Sequence, residues 1–189
     1  MRMYLFLVVS IVLTNMACSD GSEKNRMNEV LGLKNMSELA TSEYVVTKII
    51  KASDNKTWYK AGDRKILMTC KASLVAGIDM SKITANDIDI SDNDISIVLP
   101  RARLLSIDMK PEDIKTAYED ISFFRSKFSS QEKNDLASQA ETQIKNSVDS
   151  LGILTTAESN ATLFVNNFLR KQGFRNIKIR FDDNFRPLN

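Results

Sequence analysis

Four carboxylates, Asp87, Asp89, Asp92 and Asp94, fall close enough together along the chain to suggest cation binding. An EF-hand calcium loop requires a glycine at its sixth position and a bidentate glutamate at its twelfth. Counted from Asp87, those positions hold Asp92 and Val98, so the pattern fails. The run reads instead as solvent-facing strand residues around an Asx turn. Gly77-Ile-Asp-Met-Ser-Lys82 has one glycine and lacks the Gly-Lys-Ser/Thr ending of a phosphate loop, and reads as a loop leaving a strand. The 24 acids offer many carboxylate pairs of the kind that cleave glycosides, but their spacing marks none out. The chain has no histidine. That removes Ser-His-Asp and Cys-His triads, a histidine base and imidazole-bound zinc. No catalytic residue, cofactor or metal site is assigned.

The one residue whose neighbours mark it for covalent chemistry is Cys18. Arg2 precedes the apolar run Tyr4–Leu13, then come Thr14-Asn-Met-Ala17 and the cysteine. The run is about ten residues, half of what a bilayer core demands. Charged, then apolar, then small is the order of a secretory signal peptide. With Ala17 directly before Cys18 it resembles a bacterial lipoprotein signal, although Asn15 stands where leucine is usual. That resemblance implies lipidation (palmitate among the chains) of Cys18 and a membrane tether at the new N-terminus. Several acyl chains at ~0.8 kcal/mol per buried methylene would hold far better than one myristoyl group.

Residues 1–17 are thus expected to be signal peptide, 18–40 a flexible linker and 41–189 a single globular domain. Ser19–Asn35 is polar, holds two glycines and shows no sustained periodicity. As a flexible chain it would reach roughly 20–25 Å. Beyond Cys18 the only other cysteine is Cys70, so no internal disulfide can form in the mature chain. With 26 basic against 24 acidic residues, long-range attraction to nucleic acid is not indicated.

Tyr44–Lys51 is β-branched and aromatic and reads as a strand, and Trp58-Tyr59 opens a second, short one. Ile66, Met68, Cys70, Ala72, Leu74, Ala76 and Ile78 then occupy every second position, which puts them on one buried face. Cys70 is expected there as a small core residue. Ile88/Ile90 and Ile95/Ile97/Leu99 suggest two strands joined by Ser91–Asp94, and Leu104–Ile107 one more. Pro111–Tyr118 has proline and acids in a first turn and reads as a short helix. Ser129 and Glu132 have capping-box spacing before the stripe Leu136, Ala140, Ile144, Val148, Leu151, which Gly152 ends. Thr155 and Glu158 repeat the box before Ala157, Ala161, Phe164, Val165, Phe168 and Leu169, closed by Gly173. Ile177, Ile179 and Phe181 alternate with Lys178 and Arg180 in a last strand. Tyr118, Phe123, Phe124 and Phe128 are expected to seal the core between two helices. Arg170, Lys171, Arg175, Lys178, Arg180 and Arg186 are expected to complement a helix end and to form the wet face of a strand. The whole reads as α+β: a mainly antiparallel sheet from the N-terminal half, two or three amphipathic helices, and a final strand returning to the sheet.

Val75-Ala-Gly-Ile-Asp-Met-Ser-Lys-Ile83, Ile95-Ser-Ile-Val-Leu-Pro-Arg-Ala102, the alanine-bearing helices around Ala140 and Ala157, and Gly173-Phe-Arg-Asn-Ile-Lys-Ile179 carry a likeness. Over roughly residues 40–182 they resemble an exported or membrane-anchored bacterial family, domain of unknown function 4230. The element order is also similar to band-7 or stomatin-type domains, by analogy alone. The resemblance implies a fold and a membrane context, and no catalytic residues. The expected protein is a cell-envelope lipoprotein, on the periplasmic side rather than the outer surface. It would bind a protein partner or organise at the membrane without catalysis. The competing expectation is a glycan or peptidoglycan hydrolase with a carboxylate pair.

Overall fold

A computed structural model describes residues 20–36, 38–54 and 62–182. Cys18, Trp58-Tyr59 and Arg186 lie outside the described residues, and with them the expected acylation site and the expected short second strand. In chain order the elements are α1 (Asp20–Leu31), β1 (Glu38–Asp54), β2 (Arg64–Asp79), β3 (Ile88–Ser91), β4 (Asp94–Leu99), β5 (Arg103–Asp108), β6 (Ile114–Ile121), α2 (Ser130–Asn146), α3 (Ile153–Lys171) and β7 (Asn176–Phe181). Short 3-10 turns punctuate them. Among the described residues no helix is long and apolar enough to cross a membrane.

The chain divides into two compact units, each drawn from separate stretches. One comprises the described residues within Glu38–Ile78 and Ala102–Ala161; the other comprises those within Met1–Ser37, Asp79–Arg101 and Thr162–Asn189.

The first unit is organised by β2. None of its seven alternating apolar residues is more than 2% exposed. Ile50, Cys70 and Ala140 form one cluster, and Ile66, Met68 and Phe128 a second, with Leu136 packed against both. Burial pushes the Cys70 thiol pKa up, which makes it a core residue and a poor nucleophile. β1 lies along one side of β2. Its Glu43 meets Ser73, and its Asp54 meets Arg64, so the two strands run in opposite directions. The other side of β2 is shared: β5 pairs antiparallel with Ser73–Gly77 and β6 antiparallel with Arg64–Cys70, with register shifts at Val75/Ala76 and Leu67/Met68.

Pro111–Tyr118 is therefore not a helix. Pro111–Asp113 makes a single 3-10 turn, and the chain then resumes as β6. The backbone of Arg64–Cys70 offers a row of hydrogen bonds that a short isolated helix cannot match, and pairing overrides the first-turn signals.

Helix α2 begins as its spacing requires. Ser129 Oγ accepts from Glu132 N at 3.2 Å, and Ser129 N donates to Glu132 Oε2 at 2.8 Å. The second box does not form. α3 starts two residues earlier, at Ile153, where Gly152 has φ 71°. Glu158 Oε1 instead accepts from the Ala102 backbone N–H at 3.3 Å. Ala157, Ala161, Val165 and Leu169 are fully buried at four-residue spacing, a narrower stripe than the sequence suggested. Phe164, about 100° round the helix from Val165, is exposed. Gly173, at φ 91°, closes the helix.

In the second unit β3 and β4 form a hairpin with Asp92 in the left-handed region, and β7 runs parallel to β4 with Ile95 opposite Ile177. The closing strand thus joins this smaller sheet. Residues 20–36, expected as linker, hold α1 and a 3-10 turn at Gly32–Met36. Their missing periodicity reflects how little they bury: Val30 and Leu33 are enclosed, and Arg26 is held by the Asp92 carbonyl and by the Phe174 ring, 4.2 Å away. A helix fixed by two apolar residues and one cation leaves no amphipathic stripe to read.

Candidate functional site

The densest polar constellation lies in the first unit, where Arg64 opens β2. Its guanidinium donates to Asp54 at the end of β1, at 3.3 Å, and to both carboxylate oxygens of Glu132 at the start of α2. It also stacks over the Phe128 ring, 4.4 Å from the centroid. Arg125 donates to Asp54 and, at 3.2 Å, to the Gly62 carbonyl. Lys133 reaches Glu119 at 3.6 Å. These groups tie a strand end, a loop and a helix N-terminus together.

The cluster holds the two acids that one guanidinium brings together, and so bears on carboxylate-pair chemistry. The hydrogen bond from Arg64, helped by the Ser129 backbone N–H, lowers the Glu132 pKa to about 2. A glycoside-cleaving pair needs one carboxyl raised so that it still carries a proton near neutrality. Glu132 is moved the opposite way. The arrangement suits a clamp and does not suit proton donation.

The acidic run Asp87–Asp94 is dispersed over several local roles. Asp87 Oδ2 accepts from Thr84 N and Oγ1, at 2.8 and 2.7 Å, and Asp94 accepts from Asn176 Nδ2 at 2.7 Å. Among the described residues no cluster of three or more metal-ligating side chains is present. Gly77 lies within β2, where an added Cβ would stand 2.1 Å from the Leu39 carbonyl oxygen, so the glycine permits a close approach of β1. Arg170 bonds Asn166 at 2.9 Å, while Lys178 and Arg180 are exposed on β7, as expected of a wet face.

The aromatic cluster divides. Phe128 is buried, but Phe123, Phe124 and Tyr118 are 94%, 79% and 57% exposed. The segment enters α2 from a strand and not from a second helix, so no described residue closes over the first three. Phe123 and Phe124 touch each other edge to face, with centroids 5.3 Å apart.

The sequence reading also missed which way β1 faces. Tyr44 bonds Thr156 at 3.1 Å, and Ile50 joins the core. The intervening set, Glu43, Val45, Thr47, Ile49 and Lys51, is exposed, with Val45 at 65% and Ile49 at 55%. The signal was present: one alternate set reads Tyr-Val-Lys-Ile, the other Glu-Val-Thr-Ile-Lys. Among the described residues β1 pairs only with β2, so no strand covers its outer edge; at its start the Thr41 carbonyl accepts from Asn160 Nδ2 at 2.8 Å and Thr41 Oγ1 donates to the Ala157 carbonyl at 2.9 Å. A shallow groove runs there, lined by Ile49, Ile50 and Lys51 from β1 and by Gln139 and Gln143 from α2.

Fold and site together define an α+β protein whose charged groups brace one another and which exposes apolar residues on β1 (Val45, Ile49), on the turn after β6 (Phe123, Phe124) and on α3 (Leu163, Phe164). The family model for proteins of unknown function, DUF4230, matches residues 32–179, and the chain belongs to that family. No curated protein and no solved structure matches it.

Proposed function

We propose that this is a lipid-anchored protein of a bacterial cell envelope that binds other proteins, or organises them at the membrane, without catalysing a reaction. The tether is Cys18, acylated after removal of residues 1–17, and the periplasmic side is the favoured location. The observation that carries the binding role is the open edge of β1, with Val45 and Ile49 exposed in a unit that has a well-enclosed core. Large apolar side chains left in water along an unpaired edge are where natural sheets take on partners. The low pKa of Glu132 makes it unsuited to the proton-donor role that a carboxylate-pair hydrolase requires of one of its acids.

The test is crosslinking of native envelopes followed by mass spectrometry, with Cys18→Ala as control and a palmitate probe supplied during growth. The expected outcome is labelled wild-type protein, unlabelled variant, and crosslinks that concentrate on β1. An unlabelled wild-type chain would remove the tether. A labelled chain without crosslinked partners would remove the binding role.

A further inference from the structure

We infer that β1 pairs with the β1 of a second copy of this chain, antiparallel and centred on Thr47, to form a two-fold dimer with a continuous sheet. The inference rests on the protein-binding reading above and names the partner.

The argument is one of self-complementarity. A two-fold axis through an antiparallel strand pair matches residue 47 + n with 47 − n. Centred on Thr47, the exposed set pairs Glu43 with Lys51, Val45 with Ile49, and Thr47 with itself. Each of these residues is on the exposed side of the strand. Opposite charges meet twice, the two large exposed apolar side chains meet twice, and the centre is a Thr–Thr pair. All three are favourable cross-strand combinations. Moving the centre by one residue, to Val46 or Lys48, keeps exposed positions opposite one another but sets Glu43 against Ile49 or Val45 against Lys51, so the charge pairs and the apolar pairs are both lost. The core-facing set is compatible with the Thr47 centre: Val46 meets Lys48, and Tyr44 meets Ile50.

The edge can accept this partner. Among the described residues β1 has a neighbour on one side only, and it is 17 residues long, against 6 for β5 and 8 for β6. The groove between β1 and α2 leaves the strand open at Ile49–Lys51, where the pairing places the partner's Glu43 to Val45 segment. Glu43 also accepts from Ser73 Oγ at 2.6 Å, which holds its carboxylate on the exposed side without using all its lone pairs.

Disulfide trapping reads the register directly. The full-length chain is produced in its own membranes, extracted in detergent and oxidised mildly. Cys70 stays in place because it is fully buried. Facing Cα atoms of an antiparallel pair lie about 4.5 or 5.5 Å apart, and both distances suit a disulfide. Thr47→Cys is expected to crosslink to itself, as is Val45→Cys mixed with Ile49→Cys. Val45→Cys alone is expected not to, because its copies would stand about 13 Å apart. A second arm uses charge. Lys51→Glu sets acid against acid at both ends and is expected to weaken dimerisation about tenfold, while Glu43→Lys with Lys51→Glu restores it. Circular dichroism confirms that each variant is folded.

No Thr47→Cys dimer above the wild-type background, or Val45→Cys crosslinking equally well, overturns the pairing. Failure of the double charge swap to rescue overturns the register. Chains whose β1 cysteines are captured only by other envelope proteins overturn self-pairing and leave protein binding standing. Chains captured by nothing overturn both.

Discussion

The two sides of the sheet in the first unit differ in how they meet solvent. On one side β2 is flanked by two short strands, β5 and β6, interrupted by the Pro111–Asp113 turn and each carrying a register shift. Lys110, Glu112, Lys115 and Asp120 crowd that side. Shortness, proline, bulges and charge are the devices by which sheets refuse further strands. On the other side stands β1, long, with Val45 and Ile49 exposed between Glu43 and Lys51. One edge is closed to pairing and the other is left open. In a chain with no histidine and a charge cluster committed to bracing, this asymmetry is the most informative feature bearing on function.

The comparison breaks most completely at Gly77, which touches both sides. A side chain there would meet the Leu39 carbonyl of β1 at 2.1 Å and Leu105 of β5 at 2.8 Å. Gly77→Val is expected to cost about 3 kcal/mol or more, a fall in melting temperature of roughly 6–12 °C for a protein of this size. A loss under about 1 kcal/mol, read by thermal melts, would mean that β1 does not approach β2 as described.

Arg64→Met is the next largest. It removes the bonds to Asp54 and Glu132 and the stacking on Phe128, and is expected to cost about 2 kcal/mol by urea unfolding. The end of β1 should loosen first, seen as faster amide exchange at Ala52–Asp54 than at Ile114–Ile121.

Acid sharpens the same clamp. Glu132 has its folded pKa lowered from 4.5 to about 2. Its contribution is present above the unfolded value and is lost as pH falls from about 4.5 toward 2. Glu132→Gln should flatten the decline of stability with acid over that window, followed as urea midpoints from pH 6 to pH 2. An unchanged slope would mean that Arg64 does not hold this carboxylate.

The smallest effect on stability is the sharpest on the comparison. Val45 and Tyr118 are similarly exposed, at 65% and 57%, one on the open side and the other on the closed side. Val45→Lys and Tyr118→Lys should each change folding stability by less than about 0.5 kcal/mol. Sedimentation should show association abolished by the first and untouched by the second.

What the sequence revealed follows from how local each signal is. The alternation of Ile66–Ile78 was legible because one face of β2 is enclosed along its length, and the Ser129–Glu132 box because it closes within one turn. The strand at Pro111–Tyr118 was illegible because the deciding partner, Arg64–Cys70, lies 44 to 57 residues upstream of the residues it pairs with. The clamp was illegible for the same reason: Arg64 and Glu132 are 68 residues apart in the chain. α1 was missed because tertiary contacts of Arg26 and Val30, and not an apolar stripe, hold it in place. The fold class needed only periodicities. The open edge of β1 needed knowledge of which strands sit beside it.

The most direct test is amide hydrogen exchange on the full-length chain, extracted in detergent and compared at low and high protein concentration. Residues 43–51 of β1 are expected to become more protected as concentration rises, while residues 114–121 of β6 keep the same rates. Exchange in β1 that ignores concentration, or that slows no more than exchange in β6, would contradict the account.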